Sequence, residues 1–451
     1  MKARLSILYF LQFGVWGCYL TCFGQFIGAG GLGGKIAWFY ASIGLVSIIT
    51  PPLFGRLADR TGRPDRLLAL CHFGAAAFMA SMWWYGSTHG TLDFSQFYPL
   101  YLAFLAFYMP TMALANTATF KILTQSGRDY AYAFPSIRIW GTVGFVGAMW
   151  FVNSAYWHDG TLGFTLNESL PVSSLRFQYN AMQLFCSAVL GVSASIYSLT
   201  LPSACHTSQI YTYGRQSSPL SVSVRKILKT EKLVVFLVFV ILSGVCLQIS
   251  NGFATPFITH FSGLEEYADS LASGNATMLF SLSQISEAFC ILLVGVSIRR
   301  IGIRWVYAFG LLAWALRFLF FGLGDPGAGL WLLIGSMLVY GIAFNFITIA
   351  GHIYIQKIAP DNMKGFAQGL MMFMSNGIGA TFGTLAAGVI VNNWCAWKPV
   401  ETVSGNQVRL FMGQWEWPWI IFATYAFIVM LLWLLLFKKD KSDSNGTKLS
   451  I

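Results

Sequence analysis

The sequence predicts an all-α integral membrane protein whose twelve transmembrane helices form two six-helix pseudo-repeats. Three observations predict it. Of the 451 residues, 56% are hydrophobic and only 10% are charged, against about 25% charged in a soluble globular domain. Apolar runs long enough to cross hydrocarbon recur down the whole chain. They fall at 5–27, 36–55, 66–86, 97–121, 136–157, 178–202, 233–260, 276–298, 303–324, 329–352, 365–391 and 418–437. The third observation is the distribution of basic residues. With both termini cytoplasmic, 22 of the 28 Lys and Arg lie inside, four (Lys35, Arg176, Lys398 and Arg409) lie outside, and Arg138 and Arg317 lie within spans. Membrane proteins concentrate Lys and Arg in their cytoplasmic loops, and a miscounted span would scramble that asymmetry.

Several function classes fall away on composition. The net charge of +11 is matched by anionic lipid headgroups and needs no nucleic-acid partner. Eight cysteines are scattered, with only Cys395 clearly outside, so neither a disulfide framework nor a CxxC metal site is suggested. The six histidines form no HxxxH or HExxH pattern. No metal, no cofactor and no enzyme activity is expected. The first apolar run exceeds the length of a signal-peptide core and is read as the first helix.

Taken in order, the first span carries Gln12, Trp16, Thr21 and Gln25 among apolar residues. The loop after it, Gly28-Ala29-Gly30-Gly31-Leu32-Gly33-Gly34-Lys35, fits Gly-x-Gly-x-x-Gly formally. It follows a membrane helix rather than a strand and lies outside, so it is read as a flexible external turn. Between the second and third spans runs Gly55-Arg56-Leu57-Ala58-Asp59-Arg60-Thr61-Gly62-Arg63-Pro64-Asp65-Arg66. Its glycines permit a tight turn, its arginines hold the loop at the inner face, and Asp59 can accept from helix-end amides. This loop resembles the signature of the major facilitator superfamily. The second half echoes it, with Gly295 and Gly302 spaced as Gly55 and Gly62 are, and Arg300 in the place of Arg60.

The domain reading follows: 1–202 as the N-terminal six-helix half, 203–232 as a basic cytoplasmic linker, 233–437 as the C-terminal half and 438–451 as a disordered cytoplasmic tail. Ser221–Lys232 is read as a short surface helix. A substrate site is expected near the midplane, between the halves.

Polar residues at helical spacing mark that site. In the fifth span, Arg138, Thr142 and Phe145 fall on one stripe. An arginine embedded in hydrocarbon costs roughly 2.5–3.5 kcal/mol on insertion scales, so it meets a carboxylate, a cavity or a ligand. The fourth span carries Asn116, Thr117 and Thr119 beside its cytoplasmic end. The seventh pairs Gln248 with Asn251, and the eighth pairs Gln284 with Glu287, each at i, i+3. The tenth carries Tyr340, Phe344 and Asn345. A lone amide in a membrane helix is most often interhelical glue. Glu287, though, is the sole acidic residue placed within a span, and an intramembrane carboxylate is a functional group by default. Amides and a carboxylate for hydroxyls and a heterocycle edge, with Phe145, Tyr340 and Phe344 as stacking surfaces, suit a neutral polar aromatic ligand such as a nucleoside.

The chain resembles the nucleoside:proton symporter family of the major facilitator superfamily over nearly its whole length. The resemblance is carried by Phe10-Leu11-Gln12-Phe13-Gly14-Val15-Trp16-Gly17, Tyr108-Met109-Pro110-Thr111, Pro135-Ser136-Ile137-Arg138-Ile139-Trp140-Gly141-Thr142, Leu247-Gln248-Ile249-Ser250-Asn251, Ser283-Gln284-Ile285-Ser286-Glu287, Leu316-Arg317-Phe318 and Tyr340-Gly341. It implies that Arg138, Thr142, Phe145, Gln248, Asn251, Gln284, Glu287, Tyr340 and Phe344 line a nucleoside site. It also implies an acidic residue at position 345, where this chain has Asn345, which leaves Glu287 as the one matched acid and the proton-coupling residue. The expectation is a monomeric inner (plasma) membrane transporter working by alternating access, with nucleosides such as uridine, adenosine or inosine, protons and membrane lipids as partners. A proton-independent nucleoside facilitator and a carrier of another sugar-containing solute stay open as alternatives. Arg317 is read as structural, near the outer surface, with Asp325 as a partner.

Overall fold

The computed structural model describes residues 1–61, 63–127, 130–167, 170–202, 231–268, 270–358, 370–401 and 407–437. The expected linker up to residue 230, the tail 438–451, Gly62 and the side chains of Arg56, Asp59 and Arg60 lie outside the described residues.

The long helices are α1 (Lys2–Tyr19), α3 (Ile36–Thr61), α4 (Pro64–Thr88), α5 (Phe94–Gln125), α6 (Tyr130–Ser154), α7 (Met182–Leu199), α8 (Glu231–His260), α10 (Ala276–Leu323), α11 (Leu330–Ile358), α12 (Ala380–Trp394) and α13 (Glu416–Leu436). Two short helices, α2 (Phe23–Ile27) and α9 (Leu271–Gly274), follow α1 and precede α10 respectively. By length and apolarity, nine continuous helical stretches among the described residues qualify as membrane spans. Two of these, Lys2–Gly55 and Ala276–Leu323, are 54 and 48 residues long. Each is far longer than one crossing needs. Each also breaks at a glycine in the left-handed region, Gly31 at φ 99° and Gly302 at φ 77°. Gly302 is the glycine singled out as the echo of Gly62, and only a residue without Cβ turns there at no steric cost.

Among the first helices, α1 packs on α6 and α7, and α4 packs on α5 and α7. In the later part, α10 packs on α11 and α13, and α8 on α12. The two groups meet along α3–α12 and α6–α10. Close approach of α1 and α6 rests on small residues: a Cβ at Gly17 would enter the Phe145 backbone, and one at Gly144 would enter the Phe10 backbone. Membrane helices use this device because hydrocarbon offers no hydrophobic drive for association.

Two antiparallel hairpins depart from the all-helical expectation. The fifth span was predicted to run to 157, but α6 ends at Ser154, and β1 (Ala155–His158) pairs with β2 (Thr161–Phe164). Asp159 and Gly160 make the turn with φ of 50° and 75°, the two positive angles that an Asp-Gly hairpin requires. The second hairpin joins β3 (Cys395–Glu401) to β4 (Gln407–Gly413), from Cys395 opposite Gly413 to Glu401 opposite Gln407.

That second hairpin changes the reading of the glycine loop. Gly28 and Gly33 lie flat against the Trp397 indole, and a Cβ at either position would overlap the ring. Gln25 Nε2 donates to the Arg409 carbonyl at 3.2 Å, and Leu92 N donates to the Gly30 carbonyl at 2.8 Å. The loop expected to be a flexible turn is a seat for Trp397. Gly33→Leu should therefore unseat the hairpin. Cys395, 4% exposed beside it, should then react several-fold faster with a maleimide in the purified protein. Unchanged labelling would show that the seat does not hold the hairpin.

Candidate functional site

Arg138 sits on α6 with its guanidinium carbon 3.8 Å from the centroid of the Phe13 ring of α1. A cation over an aromatic face gains about 2 kcal/mol when desolvated. Nearby, the Tyr9 hydroxyl donates to Asn116 Oδ1 at 2.5 Å, so α1 and α5 together form the wall behind the arginine. Thr142, one turn on, is partly exposed. Phe145 is 6% exposed; its backbone faces Gly17, and its ring belongs to the core.

Across the α6–α10 contact stands Glu287, partly exposed, and its charge and that of Arg138 act on one another. Among the described residues, the ion pair within 4.0 Å is His158–Asp159 at the first hairpin. Arg138 and Glu287 are thus opposite charges more than 4.0 Å apart on two helices that pack together. In a partly dehydrated interior such a pair interacts far more strongly than it would in water.

Several of the remaining candidates lie on the elements beside Glu287. Gln284 lies beside the Tyr340 hydroxyl. Tyr340, 3% exposed, stacks on Phe344 at 5.8 Å and 12°, and meets the edge of Trp314 at 5.8 Å and 90°. Of the three proposed stacking rings, Phe344 is the one left partly exposed. On α8, Asn251 Nδ2 donates to Gln248 Oε1 at 3.4 Å, with Asn251 partly exposed and Gln248 at 7%. Asn345 is 1% exposed, and its Nδ2 donates to the backbone carbonyl of Glu287 at 2.8 Å. It fixes the helix that carries the acid.

Arg317 departs from its expected partner. It is fully buried, and Asp325 spends Oδ1 on the backbone amides of Gly327 and Gly329 in its own turn, at 2.7 and 3.1 Å. The arginine instead bonds Ser250, Ser283 and the Ser336 carbonyl behind the Tyr340 ring. The partners Phe13, Ser250 and Ser283 all stand inside the motif stretches already quoted, yet nothing in their residue type marked them. Among the described residues no group of His, Cys, Asp and Glu is placed to hold a metal.

Residues 1–442 match a family model described as nucleoside H+ symporter. The chain belongs to this nucleoside H+ symporter family. It is 33% identical to the nucleoside permease NupG of Escherichia coli (strain K12), over 99% of each chain. It is 32% identical to the xanthosine permease of the same organism, over 96% of this chain and 95% of that one. Among solved structures, the crystal structure of NupG superposes with a TM-score of 0.78 at 30% identity, covering 97% of this chain and 99% of that one. A bacterial homologue of the lysosomal transporter Spinster reaches 0.67 at 13% identity, which shows the shared fold alone. The fold of this family member is accordingly the multi-helix major facilitator fold.

The amide at position 345 yields a direct test. An ionised carboxylate offers the Glu287 carbonyl no proton, whereas a protonated one does. Asn345→Asp should therefore melt lower than the wild type at neutral pH and recover as pH falls, the bond being present only in the protonated form. A melting difference independent of pH would remove Asn345 from this role.

Proposed function

We propose that this protein carries nucleosides across the membrane together with protons, by alternating access between two six-helix halves, 1–202 and 233–437. The observation that carries the reading is that α6 and α10 pack together and carry opposite charges, Arg138 and Glu287, with side-chain amides and the partly exposed Phe344 on the neighbouring helices. Gln248, Asn251 and Gln284 supply donors and acceptors for ribose hydroxyls and a base edge, and Phe344 supplies a ring on which a base stacks. Thr142 adds a hydroxyl on the opposite wall.

Proton coupling follows from the same geometry. Protonated Glu287 is neutral, so Arg138 then lacks its opposing charge; ionised Glu287 restores it. Loading and release of one proton therefore change how the two halves attract one another, and bound nucleoside sits where that change is felt. With Asn345 in place of an acid, the coupling proton resides on Glu287.

The bonds that cross between the halves support a site closed toward the outside. Trp150 Nε1 donates to Ser281 Oγ at 2.7 Å, and Asn153 Nδ2 donates to Asn275 Oδ1 at 2.6 Å. Arg176 donates to Asn275 Oδ1 and to the Gly274 carbonyl, each at 2.8 Å. Together with the Trp397 seat, these cluster at the end carrying Lys35, Arg176, Lys398 and Arg409, the end assigned outside by its few basic residues. The termini are cytoplasmic in this reading, the segment 203–232 links the halves, and a monomer in the inner (plasma) membrane suffices for transport.

The test of substrate class is competition on purified protein. Unlabelled adenosine or inosine should displace labelled uridine, whereas ribose or a disaccharide should not. Displacement by the sugars would move the reading to a sugar carrier. For the coupling residue, Glu287→Gln should retain nucleoside binding within about threefold, since the amide keeps its acceptor oxygen, but should lose accumulation driven by a proton gradient. Full accumulation by Glu287→Gln would place the coupling proton elsewhere.

A further inference from the structure

A buried arginine with no carboxylate beside it is costly in a membrane protein, so its neighbours are informative. Arg317 lies on the second part of α10, fully buried. Its Nε and Nη2 donate to Ser250 Oγ on α8, at 3.2 and 2.9 Å. Its Nη1 donates to Ser283 Oγ at 3.2 Å and to the Ser336 carbonyl on α11 at 2.6 Å. The Ser336 hydroxyl donates back to the Arg317 carbonyl at 3.0 Å. The guanidinium carbon lies 4.7 Å from the Tyr340 ring centroid, and 5.4 and 5.0 Å from those of Phe280 and Phe321.

Each of these anchors adjoins a residue of the proposed site. Ser250 stands between Gln248 and Asn251, Ser283 directly precedes Gln284, and Ser336 lies one turn before Tyr340. All three serines are fully buried, with their hydroxyls or carbonyl bonded to Arg317. One planar cation thus fixes the register of three helices at the points where they present the Gln248–Asn251 amides, Gln284 and the Tyr340–Phe344 stack. We infer that Arg317 is a positioning residue for nucleoside binding, setting the geometry of the C-terminal wall of the site without touching the ligand. This deepens the reading of the site given above and rests on it.

The chemistry explains why arginine stands here. Five donors in a rigid plane reach oxygens on three helices at once, while the flat face packs on aromatic rings. Lysine keeps the charge but offers a compact ammonium on a flexible stem, so it cannot hold all three contacts.

The test compares nucleoside affinity with thermal stability in the purified full chain. Arg317→Lys should weaken uridine binding about tenfold or more, because the bidentate and stacked geometry is lost. In uptake, KM should rise more than the maximal rate falls. The double variant Ser250→Ala with Ser283→Ala keeps the arginine and remains informative where Arg317→Lys fails to fold; it should weaken binding about threefold or more through the three hydrogen bonds that Arg317 loses. Ser243→Ala removes a buried bond to Tyr307 of 2.9 Å, away from the site, and should lower the melting midpoint without moving affinity. Unchanged affinity in folded Arg317→Lys, or in the double serine variant, overturns the inference while leaving nucleoside binding by the wild type intact. Failure of the wild type to bind any nucleoside would instead sink the reading of the site, and this inference with it.

Discussion

A charge inside a membrane protein must be answered, and the interior of this one is arranged around three such groups. Arg317 is answered by neutral oxygens from three helices and by aromatic faces. Arg138 is answered by the Phe13 ring on one side and by the charge of Glu287 on the other. The two solutions differ in kind. The first is closed, with every contact inside one bundle of α8, α10 and α11. The second is open, because its partners sit on helices that belong to different halves and one of them can take up a proton. A closed solution gives rigidity, and an open one gives a charge state that a ligand or proton can change.

The same division appears in the glycines. Gly17 and Gly144 let α1 and α6 touch backbone to backbone, so the element carrying Arg138 is braced from behind. At the end that carries the two hairpins, Gly28 and Gly33 receive Trp397 from far along the chain. That contact, with the Arg176 and Asn153 bonds to the loop at Asn275, joins the halves where a carrier must part them to admit substrate. The Asn153 bond joins neutral groups and contributes only about 0.5–1.5 kcal/mol net, whereas the Arg176 bonds are charge-assisted and contribute about 1.5–3 kcal/mol each.

How much of this was legible in the sequence depends on whether the signal was local. Span positions follow from apolar length and from the sidedness of Lys and Arg, and the described helices fall on them. The hairpin after α6 was missed because Tyr156 and Trp157 prolong the apolar run, although Asp159-Gly160 carries a local turn signal. The role of the glycine loop was not legible, because the indole that fills it is more than 350 residues away. For the site, i, i+3 spacing picked out Gln248–Asn251 and Gln284–Glu287, and the structure gathers the latter with Tyr340, Phe344 and Asn345. It could not show that Tyr340 and Phe145 are covered while Phe344 is open, since that depends on Trp314, Arg317 and α1. Serine is common in membrane helices, so nothing in the sequence distinguished Ser250 and Ser283 from ordinary packing residues. Only the crossing of α8, α10 and α11 turns them into ligands of Arg317.

The central claim is that one acid, Glu287, couples nucleoside movement to a proton. The most direct measurement is uridine accumulation in proteoliposomes containing the wild-type protein, with and without an imposed inward proton gradient, while internal pH is followed. The account predicts concentration of uridine above equilibrium only with the gradient, accompanied by acidification of the lumen. Uptake that stops at equilibrium in both conditions, with no proton movement, would contradict it.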